Sequence, residues 1–241
     1  MSLRSDRWAG ADYWQVQARQ GLTLLELIER CEVATVGIDG GGLDDLLGLA
    51  VVGRDAGTRE WLAWTRAWAH PSVLERRQEI APRLRDFAAD GDLVLVERIG
   101  DDVAELAGIV ADLEEAGVLS KVGADPAGLG AILDALEEAG VPADKIVAVS
   151  QGWRLGGAIK TTERKLAEGV LVHGGQALMT WCVSNAKVEQ RSNSILITKQ
   201  ASGTAKIDPL MALFDAVSLM ELNPEGMKSM DDWLSNPARK A

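Results

Sequence analysis

The stretch VATVGIDGGG, residues 33–42, decides the fold, because an apolar run ends in an aspartate that three glycines follow. This pattern is typical of a buried strand, which we predict over residues 33–38. The next apolar run, LLGLAVVG at residues 46–53, predicts a second strand. The glycines and acidic residues between the two runs predict a turn, so the two strands should form a β-hairpin with Asp39 beside the turn.

Beyond the hairpin, the hydrophobic pattern predicts a third strand and then alternating helices and strands. Further strands are predicted at residues 60–69, 93–96, 118–124 and 146–149, and a second hairpin at 187–190 and 195–198. Helices are predicted at residues 71–89 (with a break at Pro82), 101–116, 129–139, 158–167, 175–185 and 209–222. A meander followed by this alternation predicts an α/β domain with a mixed sheet flanked by helices.

The chain divides into three predicted parts. Residues 1–32 form a lead-in with a short apolar helix, residues 33–222 form the main domain, and residues 223–241 form a polar tail. Trp8, Tyr13 and Trp14 in the lead-in need a surface to pack against. That surface is either the main domain or a missing neighbour.

Composition excludes several classes of protein. Cys31 and Cys182 are the only cysteines, and His70 and His173 are the only histidines. A disulfide framework, a histidine-rich zinc site and a conventional Ser-His-Asp triad are therefore poorly supplied. No apolar run approaches the length of a membrane span, and we expect neither a membrane segment nor a secretion signal.

The charge of the chain is unevenly distributed. The formal net charge is −11, which argues against nonspecific DNA binding by the whole surface. Residues 151–207, however, hold eight lysines and arginines against three acidic residues. This segment is either a groove for a phosphate backbone or a solvated basic face. The candidate DNA-binding residues are Lys160, Lys187, Arg191, Lys199 and Lys206; Lys206 could equally neutralise a nearby acidic cluster.

Three aspartates lie at the ends of predicted elements. Asp39 ends the first strand, Asp125 ends another apolar run before Pro126, and Asp208 opens a helix before Pro209. Two strand ends and one helix start can bring three carboxylates together. Such a cluster supplies hard oxygen ligands, which suit Mg²⁺ or Mn²⁺. Metal-dependent cleavage of a phosphodiester is the chemistry that this site would favour.

Each aspartate also has an ordinary structural interpretation. Asp39 and Asp125 could be turn residues, and Asp208 could be only a helix cap. Their joint occurrence in one predicted sheet favours a shared site. Weaker candidate ligands are Asp44, Asp45 and Asp215, and Glu97 at another strand end is the nearest rival of Asp125.

The sequence offers little evidence for a phosphate-binding loop. No GxxxxGK[ST] motif occurs, so a Walker A nucleotide site is absent. Gly152, Gly156 and Gly157 with Arg154 are compatible with a phosphate loop, although a flexible loop is the commoner meaning of such a stretch.

Several motifs together resemble a known family. They are VGIDGGGLDD at residues 36–45, GADP at 123–126, the region from HGGQAL at 173–178 to VSNA at 183–186, and KIDPLMA at 206–212. These motifs look like the nuclease half of the terminase large subunit of tailed HK97-like phages and prophages. The resemblance extends from about residue 33 to residue 222.

The resemblance implies an RNase H-like fold, with a mixed sheet flanked by helices on both faces, and an endonuclease that cuts concatemeric double-stranded DNA during genome packaging. It implies two Mg²⁺ or Mn²⁺ ions, with Asp39 as the first ligand, Asp125 as the second and Asp208 as the third. It also implies a portal protein and a small terminase subunit as partners, in the cytoplasm of an infected or lysogenic host. Because no packaging ATPase motif occurs here, residues 1–32 would be the remnant of its linker.

Two other functions stay open on the sequence alone. The domain could be an RNase H-like docking module of the packaging motor with little activity of its own. It could also be another RNase H-like nuclease, such as a junction resolvase.

Overall fold

The computed structural model describes residues 6–125, 129–191, 194–199 and 205–226, with the backbone alone for Leu129, Arg191, Ser194 and Lys199. The predicted tail from residue 227 onward lies outside these ranges. Within them, no helix has both the length and the apolar character that crossing a lipid bilayer requires.

In the described chain, seven strands form one mixed sheet. They are β1 (Cys31–Gly40), β2 (Leu47–Asp55), β3 (Trp61–Ala69), β4 (Leu93–Leu95), β5 (Leu119–Ala124), β6 (Ile146–Ala148) and β7 (Leu171–His173). Their spatial order is β4-β3-β2-β1-β5-β6, and β7 pairs with β3 beside β4. The β1–β2–β3 meander is antiparallel, and β4, β5, β6 and β7 run parallel to their partners. The predicted hairpin and mixed sheet are therefore confirmed.

Helices cover both faces of this sheet. They are α1 (Ala11–Trp14), α2 (Leu24–Arg30), α3 (Ser72–Arg76), α4 (Ala81–Ala89), α5 (Asp101–Glu115), α6 (Leu129–Glu138), α7 (Gly156–Glu168), α8 (Ala177–Asn185) and α9 (Asp208–Met220). Pro82 lies in the first turn of α4, so the predicted break separates α3 from α4.

Alternating side chains of the central strands build two cores. Val36 and Ile38 of β1 pack with residues of α5 and α6 on one face. The other face carries α7, α8 and α9, and the side chains of Leu213, Phe214 and Val217 there are fully buried. Burial of each of these three side chains contributes about 2 kcal/mol, so α9 is fixed firmly on the sheet.

Two glycines allow α9 to lie directly on β1 and β2. A Cβ on Gly37 would stand 2.0 Å from the carbonyl oxygen of Ala212, and one on Gly48 would stand 2.7 Å from the nitrogen of Pro209. Glycine within a strand often marks such a close approach of another backbone. The depth of α9 on the sheet is therefore set by these two positions.

The described part of the lead-in packs on the main domain. Trp8 meets Phe214 edge-on at 5.3 Å between ring centroids, and Trp14 stacks on His173 at 3.7 Å; both tryptophans are buried. Tyr13 is 44% exposed. The surface that the two buried tryptophans need is thus provided by the main domain, by Phe214 of α9 for Trp8 and by His173 of β7 for Trp14.

A second, separate sheet consists of β8 (Ala186–Arg191) and β9 (Ser194–Lys199), which pair antiparallel as predicted. Strand β7 was not predicted. The apolar run at 170–172 is one residue shorter than the runs at 93–96 and 146–149 that predicted β4 and β6, and it ends at His173, so local pattern did not distinguish β7 from a loop.

Candidate active site

The parallel register between β1 and β5 brings Asp39 beside Asp125. Ile38 pairs with Ala124 in this register, and each aspartate is the next residue of its chain. Adjacent strands lie about 4.8 Å apart, so the two backbones are neighbours at this point. Gly37 faces α9, and side chains two residues apart on a strand share a face. Asp39 therefore lies on the α9 side of the sheet, at the carboxyl ends of β1 and β5.

The start of α9 adds Asp208 to this edge. The Cβ of Asp208 lies 3.4 Å from the position that a Cβ on Gly40 would occupy, and its side chain is almost fully buried. Ile207 occupies the N-cap position, and no side chain caps this end of the helix. The interpretation of Asp208 as only an N-cap is therefore wrong; it is the first helical residue and faces the sheet.

These aspartates line one open cavity of about 330 Å³. The carboxylates around it are Asp39, Asp45, Asp125 and Asp208, and the apolar walls are Ile38, Ala124 and Ile132. Elements separated by more than 160 positions in the chain thus converge on a single anionic pocket. Glu97 is exposed and follows β4, which β2 and β3 separate from β1, so it is remote from this pocket.

The two acidic residues of the β1–β2 turn have different surroundings. Asp44 accepts hydrogen bonds from Arg77, at 3.2 Å from Nε and 2.7 Å from Nη2. Asp45 lines the cavity, and the Nζ of Lys206 lies 2.5 Å from its Oδ1 and 2.8 Å from the carbonyl oxygen of Asp44. Lys206 is only 2% exposed. These contacts support its interpretation as a cation that neutralises part of the acidic cluster, and its assignment to DNA binding stays a prediction.

Asp215 lies beneath the cavity, two helical turns after Asp208. It is fully buried, and the Nε2 of Gln151 donates to its Oδ2 at 3.1 Å and to its Oδ1 at 3.3 Å. The same Nε2 lies 3.4 Å from the Oδ1 of Asp39. Burial, followed by the negative charge of Asp39 and Asp125, raises the pKa of Asp215 to about 9, although the Gln151 hydrogen bonds oppose the shift. Asp215 therefore carries a proton at neutral pH in this arrangement.

The donor set of the pocket suits a hard divalent cation. Within the described ranges, no three His, Cys, Asp or Glu side chains already surround one ion position. The cavity nonetheless presents four carboxylates and neither an imidazole nor a thiolate among its lining residues. Oxygen-only ligation of this kind fits Mg²⁺ or Mn²⁺. The residues that could hold such an ion are Asp39, Asp45, Asp125 and Asp208.

The candidate DNA-binding residues lie in varied settings. Lys160 is exposed on α7, and the Nζ of Lys187 on β8 lies 2.6 Å from the Oδ2 of Asp6. The side chains of Arg191 and Lys199 lie outside the described part of the chain. Their assignment to DNA binding stays a prediction.

Gln151 is the residue of this site that sequence reasoning missed. It follows β6, at the same edge of the sheet as Asp39 and Asp125. A signal was available, because polar residues just after the carboxyl ends of parallel strands gather at one edge. An uncharged glutamine in a loop carries no motif that would single it out.

A mixed sheet of this strand order, covered by helices on both faces, defines the chain as an RNase H-like domain. Residues 99–223 match the family model described as terminase large subunit, endonuclease domain. This match covers more than half of the chain, and the chain belongs to that family. A comparison with curated proteins gave no match.

Solved structures of phage terminases share the fold. The large terminase of bacteriophage HK97 is 20% identical with a TM-score of 0.66, over 83% of this chain and 43% of that one. The nuclease domain of the Thermus phage P74-26 large terminase is 15% identical with a TM-score of 0.53, over 92% and 98%. The large terminase nuclease of thermophilic phage G20c, solved with bound magnesium, is 14% identical with a TM-score of 0.54, over 88% and 95%. The chain thus spans less than half of the HK97 protein.

Proposed function

We propose that this domain is a Mg²⁺- or Mn²⁺-dependent endonuclease that cuts concatemeric double-stranded DNA during viral genome packaging. The observation that carries the proposal is the convergence of Asp39, Asp45, Asp125 and Asp208 on one cavity. Membership of the terminase endonuclease family supports the reaction class. The structure of the G20c nuclease with bound magnesium supports the choice of metal, since that protein shares the fold.

The chain's own residues have distinct roles in this proposal. Asp39, Asp125 and Asp208 would hold two ions, because Asp39 adjoins Asp125 through the β1–β5 pairing and the next residue, Gly40, lies against Asp208. When bound, the ions would activate a water molecule and stabilise charge on the attacking and leaving oxygens of an in-line displacement. Lys206 keeps Asp45 and the β1–β2 turn in place through its two short contacts. Gln151 fixes the orientation of Asp215 under the site.

The surroundings of the pocket also bear on regulation. The net charge of −11 opposes tight binding of DNA by the isolated domain. We therefore propose that efficient cutting requires a longer terminase polypeptide, the portal and the small subunit to hold the DNA, in the host cytoplasm. Residues 1–32 would be the linker to the packaging ATPase.

The proposal is tested by nicking of supercoiled plasmid in Mn²⁺. We expect Asp39→Asn and Asp208→Asn each to lower the nicking rate more than about 100-fold, beyond the range usual for loss of an outer-shell partner. The matched control is Asp112→Asn, which makes the same charge change at a position of α5 remote from the cavity. Wild-type rates in both site variants would refute the assignment. Preferential cutting of branched DNA over plasmid would indicate a junction resolvase instead.

A further inference from the structure

The turn after β6 carries an exposed tryptophan two residues after Gln151, whose side chain contacts Asp39 of the acidic cavity. Trp153 is 63% exposed, whereas Trp8, Trp14 and Trp68 are buried in the core. The side chain of Gln151 also reaches Asp215. Two residues span at most about 7 Å between Cα atoms. The backbone of Trp153 therefore lies close to that of Gln151, the residue that contacts Asp39.

This turn is anchored on both sides of the exposed ring. Gln151 is held inward by the carboxylates, and Leu155 is buried in the core at the start of α7. The Nη1 of Arg154 donates to the Oγ of Ser150 at 3.1 Å, and its guanidinium lies 5.3 Å from the centre of the Trp153 ring. An outward ring on an anchored turn loses little conformational entropy on binding, so it is prepared for a ligand.

The two side chains together match the chemistry of a DNA strand. A guanidinium binds phosphate oxygens, and an indole offers a broad apolar face to a sugar or a base. Arg154 also belongs to the basic segment, residues 151–207, in an otherwise acidic chain. An apolar protein surface would match the Trp153 ring but would leave the positive charge of Arg154 beside it without a partner.

We propose that Trp153 and Arg154 form a DNA contact near the active site. Trp153 packs against the deoxyribose of a nucleotide near the scissile phosphate, and Arg154 binds a neighbouring phosphate. This inference rests on the proposed nuclease function. It adds two residues that position the DNA relative to the carboxylates. Neither residue is one of the proposed metal ligands.

The experiment measures binding of a fluorescein-labelled duplex by anisotropy in EDTA, over a range of salt concentrations. We expect Trp153→Ala to weaken binding about tenfold without changing the salt dependence, and Trp153→Phe to retain most of the affinity. Arg154→Ala should reduce the slope of log Kd against log salt by about one. In Mn²⁺ nicking assays, Trp153→Ala should raise KM and leave kcat close to that of the wild type.

Two controls match these changes at exposed positions away from the turn after β6. Leu222→Ala removes an exposed apolar side chain after the end of α9, and Arg164→Ala removes an exposed arginine on α7. Thermal stabilisation by Mn²⁺ should be the same in the wild type and all variants. Unchanged duplex affinity in Trp153→Ala and an unchanged salt slope in Arg154→Ala would overturn the inference. The nuclease proposal fails by a different result: the Asp39→Asn variant would still nick plasmid.

Discussion

The acidic cavity and the contact between Trp14 and His173 differ in how their buried polar groups are paired. Around the cavity, several carboxylates are held close together, with Lys206 as a buried cation, and the charges of Asp39 and Asp125 add to the burial that raises the pKa of Asp215 beneath them. At the other contact, His173 is buried and neutral, and both ring nitrogens have partners. Repulsion among the carboxylates opposes folding in the first region, whereas the polar atoms of the second are buried with their hydrogen bonds made. That difference suggests that the cavity is retained for ligand binding rather than for stability.

The hydrogen bonds around His173 define its protonation. The amide of Gly175 donates to Nδ1 at 3.1 Å, so Nε2 carries the hydrogen that it donates to the carbonyl oxygen of Trp14 at 2.8 Å. Burial lowers the pKa of His173 to about 4, although the bond to Trp14 opposes this shift. A second proton on Nδ1 would break the contact with Gly175. The hydrogen bonds that link the lead-in, β7 and Gly175 are therefore complete only while the ring is neutral.

The largest effect on stability should come from the contact between β1 and α9. Gly37→Ala would place a methyl group 2.0 Å from the carbonyl oxygen of Ala212 and 2.5 Å from the nitrogen of Ala216. Because both neighbours are backbone atoms of α9, the helix must move, and we expect a loss of at least about 3 kcal/mol in urea denaturation. Displacement of α9 should also abolish plasmid nicking.

The control for this change is Gly108→Ala on α5, where an added Cβ meets nothing within 4 Å. We expect it to stabilise the domain by about 0.5–1 kcal/mol, through helix propensity. Equal effects of the two substitutions would mean that α9 does not lie as close to the sheet as described.

An intermediate effect should appear at His173 when the pH falls. Since its folded pKa lies below the ordinary value of 6.5, the unfolded chain binds the proton first as the pH drops. Stability that is fully present above pH 6.5 is therefore lost progressively towards pH 4, by at most on the order of 3 kcal/mol. Urea midpoints of the wild type and His173→Gln at several pH values isolate this contribution, because the carboxylates are common to both. Parallel pH profiles would contradict it.

The smallest effect should be a gain in stability within the cavity. Asp39→Asn removes one negative charge beside Asp125 and one of the charges that raise the pKa of Asp215, so repulsion in the metal-free domain decreases. We expect the free energy of unfolding in EDTA to rise by about 1 kcal/mol, while stabilisation by Mn²⁺ disappears. Asp112→Asn on α5, away from the cavity, should change stability by less than about 0.5 kcal/mol. A destabilised Asp39→Asn variant would show that the Asp39 carboxylate stabilises the metal-free fold more than its charge repulsion destabilises it.

Much of the fold could be predicted, because its long strands and helices carry their own hydrophobic periods. The run that ends at Asp39 and the run that ends at Asp125 predicted two strand ends, and they are adjacent in β1 and β5. Strand β1 extends to Gly40, so Asp39 lies within it rather than after it. The convergence of the carboxylates followed from these ends and the start of α9.

Other parts of the site depend on contacts between distant segments, which no local pattern encodes. Burial of Lys206 against Asp45 joins the segment before α9 to the β1–β2 turn. The bond from Gln151 to Asp215 joins a loop to a helix 64 positions later. The close approach at Gly37 was visible as a glycine within an apolar strand, but its partner was not.

The most direct test of the proposed metal site is a crystal structure of this chain soaked in Mn²⁺, with the ions located by their anomalous scattering. We expect manganese in the cavity, with carboxylate oxygens of Asp39, Asp125 and Asp208 within about 2.0–2.6 Å of the ions. Manganese bound elsewhere on the molecule, with this cavity free of metal, would contradict the proposal.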